Sequence, residues 1–270
     1  MSGDIRCAVA GVAVLGRGFA DWSQFLALLT GGESLENADF SAPRPQILPA
    51  NERRRAPLCV KMALETSARA LEMATLAADD AACVFASAWG DTELTDYLCR
   101  AVAETEVQVS PTRFHNSVHN AAVGYWTIGA SCHRASSAIA AAEDTFSLAL
   151  LEAALQCQSE NIPVLLSVYD EPVTETLYPM MPNREAFAFS LVLHPDSAGG
   201  FGELRLSVEG AADRWPQLQA QNLDFIYRQN PAARALILAE TLAAGRDRDL
   251  CLPLSDATSL QLAWRKHNDN

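Results

Sequence analysis

Four short apolar runs, set apart by segments of helical length and period, constrain this chain more than any other feature. Residues 5–15 (IRCAVAGVAVL), 82–89 (ACVFASAW), 163–169 (PVLLSVY) and 187–193 (FAFSLVL) are rich in Val, Leu and Phe. Runs of this length bounded by turn residues mark strands; in the last, Phe187, Phe189, Leu191 and Leu193 alternate as on a half-buried one. Between them, Asp21 is placed to cap a helix that buries Trp22, Phe25, Leu26 and Leu29 before Gly31-Gly32. Val60, Ala63, Leu64, Ala68 and Leu71 mark one helical face, with Lys61, Glu65 and Arg69 on the other. Residues 92–103 and 144–156 read as further helices, and 231–244 as another, opened by Asn230 and closed by Gly245. Additional strands are expected at 204–208, 250–254 and 260–264. Strands alternating with helices stack as a layered α/β sheet.

A chain of 270 residues with 49% hydrophobic content can bury a sizeable core. The pattern weakens after about residue 210, giving a main domain over 1–210 and a short α/β extension over 211–270 that packs on it. The terminal KHNDN is expected to fray. A polar, Pro-rich connector at 36–57 holds Arg53, Arg54 and Arg55, a cluster that suits an acidic partner or simple solvation. The formal net charge of -13 argues against nucleic acid. No apolar stretch reaches the roughly 18 residues of a membrane span, and the first residues read as a strand rather than a leader, so a cytoplasmic protein away from membranes is expected. Seven cysteines without a CxxC pair read as reduced, mostly buried thiols.

Residues 110–150 (SPTRFHNSVHNAAVGYWTIGASCHRASSAIAAAEDTFSLAL) contain the candidate chemistry. Residues 116–128 read as a helix with little polar surface, and 136–142 as a small-residue strand leading into the helix from 144; their low polarity predicts burial on more than one side. Cys132 beside His133 suggests a thiol and its base, but neighbouring side chains point apart, which favours a structural cysteine. His115 and His119 have a helical metal-ligand spacing, yet no third ligand stands nearby, so hydrogen-bonding roles are expected and no metal or cofactor is assigned.

The same stretch resembles the segment of β-ketoacyl-ACP synthases that runs from a Ser-Pro loop through an Asn-bearing helix to the active-site strand and elbow. The match spans roughly residues 5–208, includes AFAFSLVLHP, and is nearest to the short ketosynthase-like chain length factors of aryl polyene pathways, as is RRRAPLCVKMALE. The resemblance implies a thiolase-like fold, mainly its N-terminal half. Counting forward from Asn120 puts the family's nucleophilic cysteine position on Glu143. The second half of full ketosynthases, with its two histidines, has no counterpart here: beyond Glu143 only His194 and His267 occur.

A carboxylate at that position cannot replace a thiolate, since attack on an acyl thioester would give an anhydride more reactive than the starting material. It would also repel a malonyl carboxylate. Glu143 is therefore expected to be non-catalytic, either a helix N-terminal acid or a residue selected to plug or to assist decarboxylation. The resemblance further implies a partner: an active β-ketoacyl-ACP synthase with which this chain forms a heterodimer and whose acyl tunnel it bounds. Phe114, Val118, Asn120, Val123, Tyr125 and Trp126 would form the interface and tunnel end, with Ser137 and Ile139 on the strand crossing the dimer. Acyl carrier protein would be met indirectly, with Arg53, Arg54 and Arg55 as contacts. The alternatives are a free-standing acyl-thioester enzyme using Glu143 or Cys132, and a carrier-protein-binding scaffold. A half-length fold also predicts an exposed apolar face, partly covered by the C-terminal tail.

Overall fold

The computed structural model describes residues 4–31, 35, 38–104, 109–196, 200–211 and 215–267; Gly32 and the terminal 268–270, expected to end a helix and to fray, lie outside the described residues. In chain order the elements are β1 (Ile5–Gly16), α1 (Trp22–Gly31), α2 (Ala50–Arg55), α3 (Leu58–Ala74), β2 (Ala82–Ala86), α4 (Thr92–Ala103), α5 (Pro111–Phe114), α6 (Ala121–Gly129), β3 (Ser136–Ile139), α7 (Thr145–Glu160), β4 (Val164–Asp170), β5 (Phe187–His194), β6 (Gly202–Gly210), α8 (Asp224–Gln229), α9 (Leu236–Ala244), β7 (Arg248–Pro253) and β8 (Thr258–Lys266). The strands form one mixed sheet in the order β3-β2-β4-β5-β1-β6-β8-β7. β2 pairs in parallel with β3 and β4, and the remaining pairings are antiparallel.

Helices cover both faces of the central strands, which is why β4 is buried at every position and reads as a continuous apolar run. Alternation sorts the side chains: Val84, Leu166 and Phe189 join the core under α7, while Phe85, Leu165, Ala188 and Val192 join the core under α3 and α6. Three buried hydroxyls tie α3 to the sheet. Ser190 Oγ donates to Thr66 Oγ1 at 2.7 Å and lies 3.0 Å from Ser167 Oγ. Thr66 in turn donates back to the Met62 carbonyl, so these three hydroxyls are paired, whereas Ser67 Oγ on α3 is buried without a partner.

The expected boundary near residue 210 falls at the end of β6, and the segment beyond it continues the same sheet. β8 pairs with β6 from Gly202 to Gly210, and β7 pairs with β8. α9 is apolar and buried from Leu236 to Leu242, and its one acid, Glu240, accepts the Gln219 and Ala220 amides at 3.1 and 2.7 Å and pairs with Arg248 at 3.1 Å. A 3-10 turn at Ala232–Ala235 packs on α7, β4, β5 and α9. The apolar face expected from a half-length fold is thereby covered, and on α7 only Leu155 remains as an exposed large apolar side chain among the described residues.

Three local expectations are corrected. The helix expected over 116–128 is α6 alone, Ala121–Gly129, because the amides of Asn116, Ser117 and Ala121 close turns onto Arg113, Phe114 and Val118 instead. The strand expected over 136–142 stops at Ile139, where the chain turns to enter α7. Neither element is enclosed: β3 is a partly exposed edge strand, and α6 buries Ala122, Val123 and Trp126 while Ile128 is 84% exposed.

Candidate functional site

β3 leads into α7 through a sharp strand–turn–helix elbow. Ala142 sits at φ +47°, a left-handed conformation that costs a non-glycine residue energy and persists only where its surroundings impose it. Thr145 imposes it here, its hydroxyl accepting from the Ala141 amide at 3.0 Å and donating to the Ala142 carbonyl at 2.7 Å. Glu143 follows in the 3-10 turn Ala142–Asp144. Its carboxylate meets Arg234 Nη2 at 2.9 Å, and the two side chains are 54% and 13% exposed. The neighbouring Asp144 carboxyl is raised above its usual range by burial first, then by the charges of Glu143 and Asp256.

A groove of about 660 Å³ runs along the open side of α6, lined by Ile47, Leu48, Val118, Tyr125, Ile128 and the Cα of Gly124. A Cβ on Gly124 would meet nothing within 4 Å, so the groove floor is open at mid-helix. Asn116, Val118 and Ala121 also wall a smaller pocket of about 130 Å³ under α4. Tyr125 donates its hydroxyl to Asn116 Oδ1 at 3.3 Å, which pins its ring at the groove edge.

The structure separates the expected interface residues into two groups. On β3, Ser137 and Ile139 are half-buried, Ile139 against the core under α7, whereas Phe114 and Val118 are 61% and 54% exposed, Asn120 is exposed and Tyr125 is half-buried. Val123 and Trp126 face the other way. They are buried in the chain's own core, Trp126 6.1 Å from the ring of Phe85, so neither touches the groove. A helix with apolar residues on every side cannot reveal from sequence which side is covered by its own chain.

Cys132 and His133 diverge as expected from their adjacency. Cys132 is buried with its Sγ 4.0 Å from Cys83, whereas His133 is exposed beside Asp79. His119 Nε2 lies 2.9 Å from the Ser87 carbonyl, while His115 lines the groove. Among the described residues no group of three or more His, Cys, Asp or Glu side chains is placed to hold a metal ion, and no helix is long and apolar enough to cross a membrane.

Arg17, Arg69, Arg100, Arg184, Arg205, Arg228, Arg248 and Arg265, like Arg234, each pair with an acid. Among the described residues Arg53, Arg54, Arg55, Lys61 and Arg113 form no ion pair; Arg54, Arg55, Lys61 and Arg113 share one cleft, and Arg113 stacks 4.5 Å above the ring of Tyr97. Asn116 lines both this cleft and the groove, and Asp91, Glu93 and Glu171 share the cleft with the cations.

Sequence reasoning did not single out Asp170 and Glu171, consecutive buried acids at the end of β4. Asp170 accepts the Ser87 hydroxyl at 2.7 Å and the Ala88, Trp89 and Ala232 amides at 3.0, 3.3 and 3.1 Å. Glu171 accepts the Cys59 and Thr92 amides, both at 3.0 Å. Burial pushes each carboxyl up to about 7, the charge of Asp91 adding to the effect on Glu171. Together they fasten α3, the β2–α4 loop and the C-terminal segment around the smaller pocket. The legible signal was the pair of acids closing an apolar run, VLLSVYDE.

The family model described as β-ketoacyl synthase, N-terminal domain, matches residues 30–249. No curated protein matches the chain. Among solved structures it is similar to a chain of the ketosynthase ApeO in complex with its chain length factor ApeC from Xenorhabdus doucetiae, with TM-score 0.72 and 19% identity over 95% of this chain and 98% of that one. It is also similar to the ishigamide ketosynthase/chain length factor, with TM-score 0.72 and 14% identity over 97% and 99%. A third is a chain of AntDE:AntF, a type II polyketide synthase acyl-carrier protein in complex with its ketosynthase, with TM-score 0.73 and 10% identity over 98% and 100%. At these identities the likeness is one of fold, the layered thiolase-like α/β fold of ketosynthases.

Proposed function

From the premise that this chain belongs to the family of β-ketoacyl synthase N-terminal domains, we propose that it is a catalytically silent chain length factor, pairing with an active β-ketoacyl-ACP synthase and bounding its acyl tunnel. The observation that carries this reading is the open apolar groove along α6, lined by exposed Val118 and Ile128 and close in sequence to exposed Phe114. Apolar surface of this kind is characteristic of a binding surface. Glu143 supports silence, because the elbow is kept while the group standing on it cannot store an acyl chain.

In this role the chain acts by shape. Tyr125, Asn116 and Val118, held by the turns before α6, would close the far end of the partner's tunnel, and each misfitting extension unit would meet an overpacking cost of about 1–3 kcal/mol. Chain length would then be a steric stop. The fold shared with the ApeO–ApeC complex and with the ishigamide ketosynthase/chain length factor supports pairing with a ketosynthase, and the resemblance of its sequence motifs favours an aryl polyene or polyketide-like pathway. The cluster of Arg53, Arg54, Arg55, Lys61 and Arg113 favours an accompanying contact with an acidic surface such as that of a carrier protein.

Co-purification and calorimetry with the cognate ketosynthase test the proposal. A stable complex at micromolar concentration is expected, with no release of labelled carbon dioxide from malonyl-ACP by this chain alone. A monomer that binds no ketosynthase would end the partner reading. Carbon dioxide release abolished by Glu143→Ala would replace silence with catalysis.

A further inference from the structure

The Glu143–Arg234 contact joins two parts of the chain that are 91 residues apart, and Arg234 is unusually committed to it. Arg234 arises from the 3-10 turn Ala232–Ala235, a small-residue turn whose N-terminus is anchored by Asp170 through the Ala232 amide. Asn230, just before it, donates to the carbonyls of Asp170 and Glu185 at 3.0 and 2.8 Å. The guanidinium lies 5.5 Å from the ring of Trp215 and 5.1 Å from that of Tyr227, and the Tyr227 hydroxyl is itself fixed by the Pro216 carbonyl at 2.7 Å. Arg234 Nε is buried without a partner, so its charge depends on Glu143 and the two rings. A nearly buried cation held this way is costly unless its counter-ion stays in place.

We infer that Glu143 and Arg234 form a clasp that holds the 215–235 segment over the elbow, with Glu143 retained as the fixed counter-ion of Arg234. The clasp ties the C-terminal segment to the turn that ends β3, and it gives the acid at 143 a structural partner that no neighbour in sequence supplies. On the elbow side the charged groups facing Arg234 are Glu143 and, more distantly, Asp144, itself near Asp256; on its own side they are Asp224, Glu240 and Arg248, grouped around Tyr227. Only Glu143 makes an ion pair with it among the described residues. This inference concerns the isolated chain and holds or fails independently of any ketosynthase partner.

Hydrogen exchange of the full chain, wild type against Glu143→Gln, tests it. Glu143 is exposed enough for the variant to fold. Exchange is expected to quicken about fivefold both at 143–147 and at 227–235, because losing the counter-ion frees the segment it holds. Arg234→Met should give the same pattern, and the double variant should exchange no faster than Arg234→Met alone. Trp215 emission, taken as the difference between wild type and Trp215→Phe, should shift on Glu143→Gln and provides the readout if Arg234→Met does not fold. An effect of Glu143→Gln confined to 143–147, effects that add in the double variant, or an unmoved Trp215 signal would overturn the clasp.

Discussion

Replacing Asp170 gives the sharpest test of how the site is held. In Asp170→Ala the carboxylate disappears and four donors lose their acceptor: the Ser87 hydroxyl and the Ala88, Trp89 and Ala232 amides. A buried donor left unpaired costs about 1–3 kcal/mol, and the four relax together, so a total of about 3–5 kcal/mol is expected near pH 5. At about 2–4 °C per kcal/mol for a domain of this size, the melting temperature should fall by roughly 10 °C.

Asp170→Asn separates packing from charge. Every bond that Asp170 accepts favours the carboxylate, yet burial outweighs them and raises the carboxyl to about 7 from 3.8. An acid whose pKa is raised by folding contributes stability at low pH that is lost as pH rises through the folded value. The loss spans about 3 pH units at 1.36 kcal/mol each, about 4 kcal/mol between pH 4 and 7. Asn cannot titrate, so the gap between wild type and Asp170→Asn should be largest near pH 5 and smallest near pH 8. Part of the wild-type slope persists in the variant, since Glu171 is also raised to about 7. Urea unfolding from pH 5 to 8 measures it. A gap that widens with pH, or Asp170→Ala unfolding within about 1 kcal/mol of wild type, would refute the reasoning.

Two further outcomes distinguish core from surface on α6. Trp126→Ala removes a fully buried ring packed on Phe85 and should cost about 3–5 kcal/mol by thermal or urea unfolding, whatever the partner. Ile128→Ser alters a side chain 84% exposed and should change the stability of the isolated chain by less than about 0.5 kcal/mol, while weakening a ketosynthase complex at least about tenfold by calorimetry.

The strands and long helices were legible because their signals are local. β4 and β5 are apolar runs, α3 carries its apolar face at helical spacing, and α4 starts at Thr92 because Asp91 accepts the Leu94 amide at 2.8 Å. The elbow was located by resemblance, and its strained Ala142 lies beside the position inferred for the nucleophile. What stayed hidden depends on partners distant in sequence. Arg234 reads as one cation at the start of an apolar helix, and Trp215 and Tyr227 as ordinary aromatics, until the turn at 232–235 brings them over Glu143. Val123 and Trp126 could not be told from Tyr125 and Ile128, because α6 is apolar all round.

By itself, the sequence determined that this chain forms a layered α/β sheet, since periodicity is a property of the chain, and its resemblance to ketosynthases put a carboxylate at the expected elbow. Only the tertiary structure decided which side of α6 is open, which acids lie buried at the end of β4, and that the 211–270 segment continues the sheet and covers α7. These are relations between surfaces, and a surface is buried or free only once the rest of the chain has packed against it.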